Sequence, residues 1–527
     1  MSEKPDLSRR TFVLGTTATV AMTAAGASTG NGGGTAGTAG ATGATGAAAV
    51  SGAADTTALC DLSATEAVAH MSQGSLSAER YAQALLTRCQ AAHALNAFIT
   101  LEPARVLEDA RARDRDRLAG VKPGPLFGLP IPVKDSVNTK DYATTAGTPA
   151  LRDFHPADDA PVVKALRGAG AVVLGKTNLH ELSFGWTSNN LAFGAVHNPY
   201  DLARIPGGSS GGTAAAIAAR LAPLGVAEDT EGSIRVPAAL CGIAGFRPTT
   251  GRYSTRGCVP ISPLFDQVGP HARSVADLVL FDSVAANDWQ KRDAVRLDGV
   301  RLGVVRDYWF TELDPEVERL TDLALAKLKD AGAHIVETEL PGLASLIDLT
   351  TDAVQNHDVR VALANYLKEY GTGLDLATLV SRASPDIQTV FRSDVLPGGA
   401  NFVSEAVYAA ARDQHLPALR TLYREYFART NVAAMVFPAT LVPAPRIGEE
   451  RTVQVRGRPM PFETAVARNI APGSTAGLPG LVLPVGLSAG GLPVAIEFDA
   501  PAGSDRALLA LGHSAEAVLG RLAAPRF

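Results

Sequence analysis

The stretch from Pro206 to Pro237, PGGSSGGTAAAIAARLAPLGVAEDTEGSIRVP, restricts the fold of this chain more than any other part of it. It holds two serine-bearing, glycine-rich turns, Gly207-Gly208-Ser209-Ser210-Gly211-Gly212 and Glu231-Gly232-Ser233-Ile234-Arg235. An alanine-rich segment from Thr213 to Arg220 joins them. Glycine on either side of a serine lets backbone amides and a hydroxyl crowd one point, because no Cβ is in the way. Two such turns in one short span read as the floor of a site.

The rest of the chain must supply a scaffold for that floor. Its 527 residues allow one large domain or two to three ordinary ones. The net charge is −5, from 48 basic and 53 acidic residues, with no long like-charged run. Nucleic acid is excluded as a partner on that count, since phosphate binding needs a concentrated basic face. No apolar run beyond the N-terminus is long enough to span a bilayer. Cys60, Cys89, Cys241 and Cys258 form no C-x-x-C pair, which argues against zinc. They read as buried free thiols, with a disulfide as the alternative in an oxidising compartment.

Ser8-Arg9-Arg10-Thr11-Phe12-Val13-Leu14 places paired arginines ahead of a short apolar stretch, and Ala25-Gly26-Ala27 offers small residues for cleavage. Residues 1–27 are therefore expected to be a twin-arginine export signal, directing the protein to the periplasm or the outside. Residues 28–56, rich in Gly, Ala and Thr, are expected to be a flexible linker. The folded domain is expected over 57–527.

Within it, Ser63 and Glu66 make a capping box, and helices are expected from Ser77 to Ala92 and Pro103 to Leu118. Leu95–Leu101 reads as a strand. The proline-punctuated run Gly124 to Asp135 reads as extended chain, its prolines denying it a central ladder position and leaving Lys134 at a strand's exit. A helix from Pro161 and a strand at 171–175 follow, with a helix start at Thr177–Leu182. Further on come a strand at 301–305, a helix at 315–331 and a strand at 334–338. A largely helical region (343–429), strands near 435, 481 and 492, and a closing helix at 504–519 complete the pattern. This alternation predicts a single large α/β domain, with a mixed, mainly parallel sheet covered by helices.

Gly207-Gly208-Ser209-Ser210-Gly211 matches G-x-S-x-G, the nucleophile elbow. That elbow needs a hydrophobic strand leading into its serine, and the two prolines of Asn198–Pro206 rule such a strand out. A phosphate-binding loop would need a lysine after the glycines, and there is none. A serine is a poor nucleophile until a base takes its proton. With no histidine well placed, a lysine kept neutral by burial is the sensible base.

Lys134, Ser209 and Ser233, together with GGSSGG and DTEGSIRVPAALCGIAGFRPTTGR, closely resemble the amidase signature family. The separations, 75 residues from Lys134 to Ser209 and 24 from Ser209 to Ser233, fit its Lys-Ser-Ser triad. GLPIPVKDSVNT, TTAGTPAL, VVLGKTNLHELSFG and AGLPGLVLPVGL extend the resemblance over most of the chain after about residue 60. ALCGIAGFRPTTGRYS, Ser262–Ser274 and RNIAPGSTAGLPG look most like indoleacetamide and mandelamide hydrolases. The resemblance implies that Ser233 is the nucleophile and that Ser209, after a cis bond with Gly208, relays the proton. It makes Lys134 the base. Backbone amides of Thr230, Glu231, Gly232 and Ser233 would form the oxyanion hole, and neither metal nor organic cofactor is needed.

The expected partner is a small amide with an aryl or arylalkyl acyl group, and a homodimer stands as an alternative to a monomer. No stable membrane insertion is expected after signal removal. Other readings are an ester, carbamate or anilide hydrolase, a glutamine-hydrolysing tRNA amidotransferase subunit, and a binding protein that lost activity. Glu231 departs from the glycine or small residue common in the family. Ser210, Asp229, Arg235, Lys176, His180, Glu181 and Cys241 are expected to be structural.

Overall fold

A computed structural model of the protein describes residues 55–289 and 295–526. The export signal expected at 1–27 and all but two residues of the linker expected at 28–56 lie outside them. Residues 55–61 are helical, so regular structure is present two residues ahead of the boundary placed at Thr57.

An eleven-stranded mixed sheet forms the centre of one large α/β domain. In chain order its strands are β1 (Phe98–Thr100), β2 (Pro130–Lys134), β3 (Val172–Thr177), β4 (Leu224–Asp229), β5 (Ala244–Arg247) and β6 (Gln267–Ala272). They continue with β7 (Arg301–Val304), β8 (His334–Glu337), β9 (Ala434–Pro438), β10 (Gly480–Leu487) and β11 (Pro493–Asp499). Across the sheet they run β1-β3-β2-β4-β6-β5-β10-β11-β9-β7-β8. Parallel pairing occupies two flanks, where β2 joins β3 and β4, and β7 joins β8 and β9. The strands between them, and β1 at the edge, pair antiparallel. Those middle strands include β4, β5 and β6, which the strand–helix alternation does not flag because a short helix, Arg235–Cys241, separates β4 from β5 and the irregular segment 248–266 separates β5 from β6.

Local signals act as expected at most ends. Ser63 and Glu66 close a reciprocal capping box on helix Ala64–Gln73, and Gly74, left-handed at φ 79°, ends it. The helix Pro103–Leu118 opens on its proline. Helix Gly211–Ala218 is buried along its whole length, which explains its composition. Small side chains at most of its positions let it pass through the core, and a Cβ on Gly212 would collide with the carbonyl oxygens of Asn178 and Ala97.

Two expectations are corrected. Thr177–Leu182 does not begin a helix. β3 runs through Thr177, and a single 3-10 turn follows at Glu181–Ser183, with Leu182 and Ser183 at φ 52° and 63°. Asn178 diverts the chain: its side chain accepts from the next amide, Leu179 N–H (2.8 Å), while its Nδ2 donates to the carbonyls of Asn96 and Gly194. The second correction concerns β2, which is interior, between β3 and β4. Its prolines are accommodated by irregular pairing: the β3 register shifts between Ile131 and Pro132, and Val133↔Val226 is the registered pair with β4. Lys134 is nevertheless its last residue, as expected.

The principal apolar core packs on both faces of the sheet. The helical region from Leu343 to Thr430 carries separate apolar clusters and stands over the loops that follow the strands of the first flank. No helix among the described residues is long and apolar enough to cross a membrane.

Candidate active site

The Val133↔Val226 parallel pair brings the end of β2 beside the end of β4, and so sets Lys134 against Glu228. Lys134 is completely buried. Its Nζ donates to Ser209 Oγ at 2.6 Å and lies 3.0 Å from Glu228 Oε1. The Ser183 hydroxyl donates to the same Glu228 oxygen. Burial lowers the Lys134 pKa, because the ammonium loses its hydration, while the Glu228 carboxylate works against that shift.

The first serine turn is held by its backbone. The Gly208–Ser209 peptide is cis. The Ser209 carbonyl accepts from His180 N–H (3.1 Å) and from the Ser188 hydroxyl (3.1 Å). A Cβ on Gly208 would sit 2.8 Å from the Trp186 carbonyl carbon and 2.9 Å from Thr187 N, so glycine is the residue that fits. Ser210 ties the turns together: its N–H donates to the Ser233 carbonyl (3.3 Å) and its hydroxyl to the Glu228 carbonyl (3.1 Å).

The second turn is organised by Asp229. Its buried carboxylate accepts from Gly232 N–H (2.8 Å) and Ile234 N–H (3.0 Å), and is flanked by the guanidinium groups of Arg235 and Arg247 (3.1 Å each). Those charges hold Asp229 well below the usual carboxylate range. Arg235 also donates to Glu497 and Ser474, linking the turn to β11 and helix Ala471–Ala476. Ser233 sits on this turn, 6% exposed. Of the amides expected to hold an oxyanion, that of Gly232 donates to Asp229. The amides of Thr230, Glu231 and Ser233 make no hydrogen bond among the described residues.

Several supporting residues were not legible in the sequence. Glu228 touches Lys134, Asp266 accepts from the Thr230 hydroxyl (2.7 Å), and His271 Nε2 donates to the Ile234 carbonyl (2.7 Å). Burial and Glu228 push Asp266 up to about 7, and burial pulls His271 down to about 4. The one available signal was that Glu228 lies near the end of an apolar run, as Lys134 does. Residues expected to be structural make buried contacts: Lys176 pairs with Asp135 (3.1 Å), Glu181 accepts from Ser384 N–H, and Cys241 Sγ donates to the Pro206 carbonyl. All four cysteines are buried and unpaired. Among the described residues, no cluster of His, Cys, Asp or Glu could hold a metal ion.

An open cleft of about 220 Å³ reaches the second turn at Glu231. Trp186, Tyr308 and Ile347 give it an apolar wall, and Glu231, Asp352 and Glu463 bring carboxylates to it. Trp186 Nε1 donates to the Glu231 carbonyl (3.4 Å), and Gln355 Nε2 donates to the Glu231 carboxylate (2.9 Å).

Comparison with known proteins places the chain among relatives of similar length. The family model described as Amidase matches residues 80–509. An indoleacetamide hydrolase of Agrobacterium vitis is 38% identical over 435 residues, covering 82% of this chain and 92% of that protein. A mandelamide hydrolase of Pseudomonas putida is 37% identical over 478 residues, covering 88% and 92%. The solved structure of a peptide amidase from Stenotrophomonas maltophilia superposes with a TM-score of 0.72 at 29% identity, covering 89% of this chain and 99% of that one.

Proposed function

The chain belongs to the amidase family and hydrolyses the C–N bond of carboxamides, and we propose that Ser233 is its nucleophile, Ser209 its proton relay and Lys134 its base. The observation that carries this reading is the 2.6 Å contact of Lys134 Nζ with Ser209 Oγ, on a turn bonded directly to Ser233. Neutral Lys134 takes the Ser209 proton as Ser209 takes that of Ser233, and Ser233 Oγ attacks the amide carbonyl. The oxyanion forms against the free amides of Thr230, Glu231 and Ser233, each such donor being worth about 3 kcal/mol. Collapse breaks the C–N bond while the proton returns from Lys134 through Ser209 to the departing ammonia. Water then adds to the acyl ester, Ser233 leaves, and the acid is released. No step calls on a metal or an organic cofactor.

The acyl group is aryl or arylalkyl in this reading. Its support is the apolar wall of Trp186, Tyr308 and Ile347, together with the names of the indoleacetamide and mandelamide hydrolases. The test is a panel of primary amides, anilides, esters and glutamine, assayed for ammonia and acid release with wild type and Ser233→Ala. Ser233-dependent release of ammonia from aryl amides is expected. A preference for glutamine would favour an amidotransferase-type role, and Ser233-independent turnover would defeat the triad.

Export through the twin-arginine route belongs to the same proposal, on the strength of Arg9-Arg10 and the apolar stretch after them. Cell fractionation checks it. Replacing both arginines with lysine should leave the protein in the cytoplasm, and unchanged export would refute the route.

A further inference from the structure

Carboxylates reach the cleft from four separate elements. Glu231 comes from the nucleophile turn, Asp348 and Asp352 from helix Leu343–Glu369, Asp394 from the π-turn Phe391–Val395, and Glu463 from helix Phe462–Ala467. The cation in the lining is Arg468, and its guanidinium is spent elsewhere, on Glu312 (3.1 Å) and the Thr311 carbonyl (2.7 Å). Asp394 accepts from Asn401 (2.8 Å) and Glu231 from Gln355. Glu463 and Asp348 make no hydrogen bond or ion pair among the described residues. Asn356 is an independent sign of a ligand. It lines the cleft, is 7% exposed, and its side-chain amide has no hydrogen-bond partner among the described residues.

We propose that this cleft takes amides whose acyl group carries a protonated amine, with the aromatic body against Trp186 and Tyr308 and the ammonium among Glu231, Asp352 and Glu463. The inference deepens the amidase reading and rests on it for the position of the scissile bond. Its physical basis is that like charges gathered in one partly buried cleft repel one another, and an ammonium removes that penalty where a neutral acyl group does not. Burial and the nearby Asp352 charge push Glu231 up to about 8, and burial with Asp352 and Asp394 pushes Glu463 up to about 7. Burial raises Asp348 as well, and it pushes the Tyr308 phenol up to about 12, where it stays neutral. Near pH 7 the cleft therefore holds protons that an incoming ammonium expels. Cation affinity rises as pH climbs through 7 to 8, and binding releases protons.

The test uses full-length Ser233→Ala and a near-isosteric pair, 4-(aminomethyl)phenylacetamide and 4-ethylphenylacetamide. Calorimetry at pH 7 in two buffers of different ionisation enthalpy gives affinity and proton release together. The cation should bind at least tenfold tighter than the neutral amide, with net proton release. Glu463→Gln and Glu231→Gln should each cut that preference at least threefold. Equal affinities, or a preference untouched by both substitutions, would overturn the proposal. If the cation preference holds while wild type hydrolyses neither amide, the proposal stands and the catalytic roles fall.

Discussion

At Lys134, burial and Glu228 pull the ammonium in opposite directions. Burial lowers its pKa and the carboxylate 3.0 Å away raises it. Glu228→Gln removes the raising influence while keeping a side chain that Ser183 can still bond. The lysine should then lose its proton at lower pH, moving the acid limb of the kcat/KM profile down by about 1 unit or more, the size of a close charge effect. A pH–rate profile of the variant checks this, and an unmoved limb would mean that Lys134 is not the titrating base. Lys134→Ala should lose more rate on primary amides than on activated esters, whose leaving groups need no proton; parallel kinetics on both substrates read the difference. These residues mark the limit of sequence reading. Lys134, Ser209 and Ser233 stood out as candidates because their spacing, and the glycines around the two serines, repeat a known pattern. Glu228 was not, because its contact with Lys134 exists only once two strands distant in sequence lie parallel. The bond from Gly232 N–H to Asp229 is local but was hidden as well, because it depends on where the Asp229 side chain points.

Among the elements, the two serine turns depend on what braces them. Asp229 ends β4 and binds two amides of the next turn as well as Arg235 and Arg247. Asp229→Asn leaves the buried Arg247 guanidinium without its ion-pair partner and takes one partner from Arg235, which keeps Glu497, a change that costs about 3–5 kcal/mol. Chemical denaturation should show that loss, accompanied by a fall in kcat that exceeds any change in KM. Helix Gly211–Ala218 depends on close backbone approach, so Gly212→Ala should destabilise by about 1–3 kcal/mol as Asn178 and Ala97 are forced away; the same denaturation series tests it. Most helices and outer strands were readable from caps and periodicity. The misread segment at Thr177–Leu182 has helical composition, and Asn178 overrides it with bonds to the carbonyls of Asn96 and Gly194, the latter sixteen residues further on.

Across the whole molecule, the sheet presents the proposed catalytic groups at the ends of β2 and β4, while helix Leu343–Glu369 supplies Asp348, Asp352 and Asn356 to the cleft. That division has a consequence for stability. Glu463 is raised to about 7 in the folded protein and titrates near 4.3 when unfolded. Between those values the folded state holds more protons, so its contribution to stability falls as pH rises. Relative to wild type, Glu463→Gln should therefore gain stability between pH 5 and pH 8, and melting curves at both pH values would show it. The central claim is that a serine on the second turn, activated through the first, carries the acyl group. Rapid-quench mass spectrometry of the protein turning over an aryl acetamide tests it most directly. An acyl adduct is expected on the peptide containing Ser233, formed at the rate of ammonia release and absent in Ser233→Ala. An adduct on Ser209, or ammonia release that survives Ser233→Ala, would contradict it.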